Sequence, residues 1–252
     1  MAKDPVCGRE VKERQAPAVA FYRGKLYFFC SEGHRDAFWK TPEHYARRVP
    51  AMAVKIGVMG AASGVLAPEV RQAAYAVGVA IAEREMVLVT GAAPGLPWES
   101  ARGARHKGGL SIGISPALSL DEHKYVYDSP ADVFDVMIYT GSGLMGREIV
   151  NIRSSDIVVI IGGHSGTLGE FAIAYDEGKL IGVLNGSGGI ADAIPGLLPA
   201  IDKETGSDII YDSDPESLIA RLISEYVDSH YRRPSVFEDR EMEEGRPHMP
   251  KG

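Results

Sequence analysis

Cysteine is scarce in this chain: Cys7 and Cys30 are the two in 252 residues. A disulfide framework is therefore excluded as what holds the fold. Long hydrophobic runs are missing too, none nearing the ~20 residues of a bilayer-spanning helix. The opening MAKDPVCGRE carries no apolar leader segment. The expectation is a cytoplasmic protein without a membrane partner. Basic charge is in deficit, with 27 Lys and Arg against 34 Asp and Glu and a formal net charge of -7. Nucleic acid, which needs a basic face, is accordingly expected to be excluded as a partner. A small phosphorylated ligand is not, because a helix N-terminus and one or two Arg hold a phosphate locally. None of the Gly-rich turns at 57–64, 91–95 and 162–167 matches the common nucleotide fingerprints GxGxxG or GxxxxGK[ST].

What is present is an ordinary globular composition, 45% hydrophobic and 24% charged, enough to bury a core. Composition divides the chain into three. Residues 1–49 hold both cysteines. Residues 53–233 are rich in Gly, Val, Ile and Ala. Residues 234–252 are charged, without apolar periodicity, and read as a flexible tail. The VPAMA at 49–53 reads as a linker. The middle region alternates apolar, β-branched runs with helical patterns. The runs are VKIGVMG from Val54, MVLVTG from Met86, LSIGISP from Leu110, VMIYT from Val136, DIVVIIGG from Asp156, LIGVLN from Leu180 and DIIYD from Asp208. Uninterrupted runs of this kind suit strands buried on both faces of a parallel sheet. The predicted fold class is α/β, a doubly wound, mostly parallel Rossmann-like sheet, with any ligand at the C-terminal strand ends.

Three of those strands end in Gly-rich turns: Gly57 to Gly64 with Gly60 and Ser63, Gly91 to Gly95, and Gly162-Gly163-His164-Ser165-Gly166-Thr167. Glycines let backbone approach an anion, and amides at the following helix start point at it. One such loop alone is as consistent with a tight turn as with a ligand. Three at corresponding strand ends point to a shared cleft.

The third loop and its flanks resemble the LOG-like (SLOG) Rossmann superfamily, marked by a GGxGTxxE signature preceded by a helix bearing an Arg. Gly162, Gly163, Gly166, Thr167 and Glu170 match, and His164-Ser165 fill a gap that usually holds one residue. Arg147 has the helix-Arg spacing, and WESARGA puts Glu99 in register with the family's MEAAxxGA helix. Glu148 and Asn151 stand where LOG-type phosphoribohydrolases carry Lys and Met, and Ala92-Ala93 replace common glycines. The resemblance is nearer to the branch with the molybdenum cofactor carriers than to the cytokinin-activating enzymes. It implies either of two activities. One is hydrolysis of a nucleoside 5'-monophosphate to ribose 5-phosphate and base, with Glu170 and Arg147 catalytic. The other is non-catalytic binding of a molybdenum cofactor (pterin) or a sensor role. In both, Gly60, Ser63, Gly91, Gly95, Glu99 and residues 162–167 hold the ligand, and a homodimer is implied.

In the first region, Asp4-Pro5-Val6-Cys7-Gly8, then KLYFFCSEGH ending at His34, then Phe38, Pro42 and Tyr45, resemble the YHS domain, a small α+β module. KLYFFC reads as a hairpin strand, and Ser31 as the cap of a short helix. Cys7, Cys30 and His34 are the candidate metal ligands, for Zn, Cu or Fe. The competing reading makes the cysteines buried apolar fillers. Tyr22, Tyr27, Phe28 and Phe29 are the expected core of the module. His44 and His106 are expected at the surface.

Overall fold

The computed structural model describes residues 1–49 and 51–232. The charged tail and Pro50 of the linker lie outside the described residues. The N-terminal region holds β1 (Ala2–Lys3), β2 (Glu10–Val11), the hairpin β3 (Ala18–Tyr22) and β4 (Lys25–Phe29), then α1 (Glu32–Lys40) and α2 (Pro42–Ala46). The Ser31 hydroxyl caps α1 by accepting from the His34 amide. Phe38 is the hub of a small aromatic core, with ring contacts to Tyr22, Tyr27, Phe29, Trp39 and Tyr45. Phe28 does not join that core. Strand side chains alternate between faces, so Tyr27 and Phe29 point inward while Phe28 points the other way, against Tyr231.

The rest is β5 (Lys55–Gly60), α3 (Pro68–Glu83), β6 (Val87–Thr90), α4 (Leu96–His106), β7 (Ser111–Ser115), α5 (Leu120–Tyr125), β8 (Val136–Tyr139), α6 (Gly143–Arg153), β9 (Ile157–Ile161), α7 (Ser165–Asp176), β10 (Leu180–Leu184), α8 (Gly189–Ile201), β11 (Asp208–Asp212) and α9 (Pro215–Asp228). All seven predicted runs are strands, in one sheet of order β11-β10-β9-β5-β6-β7-β8 with every neighbour parallel. In β9, Ile157, Val159 and Ile161 pack toward α3, α4 and α9, whereas Val158 and Ile160 pack toward α6, α7 and α8. That alternation between two apolar layers is why the strand reads as an unbroken hydrophobic run. Among the described residues no helix is long and apolar enough to cross a membrane.

Two helices escape the sequence pattern. α5 is short, and α8 contains Pro195 and Pro199, residues that each disfavour a helix interior by roughly 3 kcal/mol. Both prolines lie on its exposed face, and burial of Ala191 and Ile194 against the sheet outweighs the local preference.

Helices α3 and α4 cross at a glycine contact. A Cβ on Gly78 would lie 1.8 Å from the Ser100 carbonyl oxygen, and one on Gly103 would lie 2.0 Å from that of Tyr75. Backbone blocks both positions, so Gly78→Ala forces the helices apart. We expect it to destabilise the fold by about 3 kcal/mol, read as a lowered urea midpoint at unchanged slope.

Candidate functional site

The sheet order reverses direction between β5 and β9, its topological switch point. Loops leaving two adjacent strands in opposite directions open a crevice there. A cavity of about 160 Å³ occupies it, and Gly60, Ser63, Gly91, Arg147, Glu148, His164, Gly166, Thr167 and Glu170 are among its lining. The structure thus gathers most of the predicted site residues in one place.

Helix α7 opens at Ser165 without a side-chain cap, and its first intrahelical bond runs from the Leu168 amide to the His164 carbonyl. The preceding amides of the first turn have no intrahelical acceptor, which makes them anion donors. Gly163 has φ +100°, and a Cβ there would strike the Thr167 side chain, so only glycine fits the turn. The loop is braced from behind: Ile190 and Ala191 amides donate to the Gly163 and Gly162 carbonyls, and the Gly162 amide donates to Ser187 Oγ. In front, His164 Nε2 lies 3.4 Å from the Ser63 carbonyl oxygen, spanning the crevice between the two loops.

The wall opposite comes from α6. Arg147, Glu148, Asn151 and Ile152 share its buried stripe. Arg147 is 8% exposed and Glu148 5%. Gly91 makes room for the guanidinium, since a Cβ there would sit 1.1 Å from Arg147 Nη1. Among the described residues neither the Arg147 nor the Glu148 side chain makes a hydrogen bond or an ion pair, and Arg147 Nε is fully buried without a partner. Asn151 Nδ2 donates to Met59 Sδ (3.0 Å) and to Glu170 Oε1 (3.4 Å). Burial pushes the Glu170 carboxyl up to about 7; Arg147 opposes that rise, and Glu148 adds to it. Burial likewise raises Glu148, against the pull of Arg147.

A carboxyl held above its ordinary value of 4.5 stabilises the fold most below that value, and the contribution is lost as pH rises through about 7. Between about pH 5 and pH 8 the wild type should lose about 2 to 3 kcal/mol more stability than Glu170→Gln. Parallel pH dependence of the two proteins in denaturant titrations would rule this out.

Not every predicted residue reaches the cavity. Glu99 is buried but pairs with Arg71 (3.4 Å) and Arg102 (2.8 Å), tying α4 to α3. Gly95 instead supports the β5–α3 loop: φ is +74°, and a Cβ would lie 2.3 Å from the Ala61 carbonyl oxygen. Ser165 is exposed at the start of α7. Gly162 and Gly163 instead line an adjoining pocket of about 300 Å³, which shares His164 with the cavity, is floored by Leu66, Val70 and Leu96 and is rimmed by residues 186–189. Sequence reading passed over that rim, although NGSGG after LIGVL is a fourth Gly-rich strand end.

A second cluster lies in the N-terminal region. Cys7, Cys30 and His34 come together, joined by Asp4, with one ligand atom of each within 4.8 Å of the others. The two Sγ atoms are 3.7 Å apart, and Cys30 Sγ is 3.4 Å from His34 Nδ1. Two thiolates on one tetrahedral ion at ~2.3 Å stand about 3.8 Å apart, so the set fits a thiophilic metal. Asp4 was missed as a fourth donor. Its carboxylate is fully buried and accepts from the Val6, Cys7 and Cys30 amides, with His34 Nδ1 at 2.9 Å. Burial opposes ionisation of Asp4, but the Cys30 amide, His34 and the Val6 amide hold its carboxyl well below the usual range. The only sequence signal was its place in the Asp-Pro turn before Cys7.

Comparison with known proteins follows the same division. The model of the SLOG cluster4 family matches residues 53–219, and that of the YHS domain matches residues 2–49. A protein of Archaeoglobus fulgidus is 38% identical over 131 residues, 52% of this chain and 80% of its own length. Among solved structures, the molybdenum cofactor binding protein of Rippkaea orientalis is 29% identical, with a TM-score of 0.56 over 68% of this chain and 96% of its own. The molybdenum cofactor carrier protein of Chlamydomonas reinhardtii is 27% identical, with a TM-score of 0.54 over 68% and 99%. The expected exclusion of nucleic acid is corrected. DNA processing protein A of Helicobacter pylori, described for its single-stranded DNA binding mode, is similar at 21% identity and a TM-score of 0.47 over 69% of this chain and 81% of its own.

Proposed function

The chain belongs to the SLOG cluster4 family, and on that footing we propose that it binds and holds a small phosphorylated heterocycle, a molybdenum-type pterin or a nucleoside monophosphate, in the cleft at the switch point. The observation that carries this reading is Arg147: a guanidinium more than nine-tenths buried with no acceptor among the described residues. Burying a charge without a partner is costly, and a negatively charged ligand that brings an acceptor into the cleft supplies the partner. The first turn of α7 offers amides to the ligand's phosphate. Likeness to two proteins described as binding or carrying the molybdenum cofactor supports a pterin over other rings. Calorimetric titration of the full chain with nucleoside 5'-monophosphates and a pterin monophosphate tests the proposal, and no heat with any of them would end it.

A second reading, hydrolysis of the N-glycosidic bond, is favoured by Glu170. A cavity-lining carboxyl held at about 7 is poised for proton transfer. Release of free base from AMP, GMP, CMP and UMP, followed by chromatography, decides it. In this reading activity disappears in Glu170→Ala while binding persists.

For the N-terminal cluster, the donor set of two thiols, one imidazole and one carboxylate supports a bound Zn, Cu or Fe ion. Cys7, Cys30, His34 and Asp4 would hold it. Elemental analysis of wild type against the Cys7→Ser/Cys30→Ser double variant tests this, and equal metal content would remove the claim.

A further inference from the structure

Glu148 is the residue of the cleft that anion binding leaves without a task. Its carboxylate is buried, lines the cavity, and has no hydrogen bond or ion pair among the described residues. The fold keeps space for it. A Cβ on Gly166 would lie 3.3 Å from its Oε1, and one on Gly169 would lie 2.9 Å from its Oε2. Two glycines in the first turns of α7 thus leave both carboxylate oxygens clear of side chains from that helix.

Resting on the reading of the cleft as a nucleotide or pterin-phosphate site, we propose that Glu148, beside Arg147, reads the ligand's ring and selects an amino-oxopyrimidine edge, the edge that guanine and pterins share. Such an edge presents a carbonyl, a ring N–H and an exocyclic amine side by side. A carboxylate with two free oxygens accepts the two N–H groups in parallel, and a neighbouring guanidinium donates to the carbonyl. Consecutive residues on one helix supply that donor and that acceptor pair. Adenine offers one amine beside a bare ring nitrogen, whose lone pair faces the carboxylate. Hypoxanthine keeps the ring N–H and the carbonyl but lacks the amine. A ribose diol would also suit a carboxylate, but it would leave Arg147 without an acceptor on the same group. The phosphate then falls to the amides at the start of α7 and to Thr167.

The test is calorimetric titration of the full chain with GMP, dGMP, IMP and AMP at about pH 8, above the ordinary range of a carboxyl. Wild type should bind GMP and dGMP alike, and both about tenfold or more tightly than IMP or AMP. Glu148→Gln should still bind, with GMP, IMP and AMP within about twofold of one another. Its thermal midpoint should not fall, because the change removes an unpartnered buried charge. Equal affinity of wild type for GMP and AMP overturns the inference and leaves the cleft reading standing. So does a guanine preference that survives in Glu148→Gln. A loss with dGMP that depends on Glu148 assigns the carboxylate to the ribose and overturns it too. Failure of every nucleotide and of a pterin monophosphate to bind wild type overturns the inference together with the reading beneath it.

Discussion

Arg147→Met should weaken ligand binding at least about a hundredfold while leaving the thermal midpoint at pH ~6 unchanged or higher. The two halves of this result have one cause. The guanidinium sits in a slot kept open by Gly91 and finds no acceptor among the described residues. In the ligand-free protein its burial is a net penalty, and methionine fills similar volume without it. With ligand bound, the same group makes charge-assisted hydrogen bonds, each contributing about 1.5 to 3 kcal/mol. Acid conditions are specified because Glu170, held at about 7, is then protonated and does not need the neighbouring cation. Calorimetry and thermal unfolding on the same preparations check both halves. If the midpoint collapses, Arg147 is a structural strut and the binding role falls with it.

Asp4→Ala should bring metal content to near zero and destabilise the N-terminal region by about 3 to 5 kcal/mol. One fully buried carboxylate ties the turn at residues 4–7 to the end of β4 and to His34. Removing it leaves three amide donors without their acceptor and frees both cysteines from their relative placement. Asp4→Asn separates the roles: an amide oxygen still accepts from some of the amides, so folding is partly restored, but metal affinity is not. The carboxyl is held below its ordinary value of 3.8. Its stabilisation is therefore present above that value and is lost only as pH falls below it. Elemental analysis with near-UV circular dichroism measures both effects. Full metal content in Asp4→Ala would exclude Asp4 from the site.

Much of this architecture was legible because the governing forces are local. β9 reads as a strand because Ile157 to Ile161 are buried on both faces, and the glycines at 162 and 163 are demanded by the backbone itself. What escaped depends on tertiary packing. α8 tolerates Pro195 and Pro199 because Ala191 and Ile194 are pinned to the sheet. Phe28 leaves the small core because of its phase along β4. Asp4 becomes part of the cysteine cluster only when β4 is folded against the turn that precedes Cys7, about 26 residues away in sequence. Glu99 was read in register with a binding motif, yet it is claimed by Arg71 and Arg102. That the side chains of Arg147 and Glu148 lack hydrogen-bond partners among the described residues is a fact about what does not surround them, and that no linear pattern contains.

The most direct test of the cleft as the binding site is amide chemical-shift mapping of the full chain during titration with GMP and with a pterin monophosphate. Saturable shifts are expected at residues 60–64, 91–93, 147–151 and 162–170, abolished in Arg147→Met. Shifts confined to the N-terminal region, or an unchanged pattern in Arg147→Met, would contradict the cleft as the binding site.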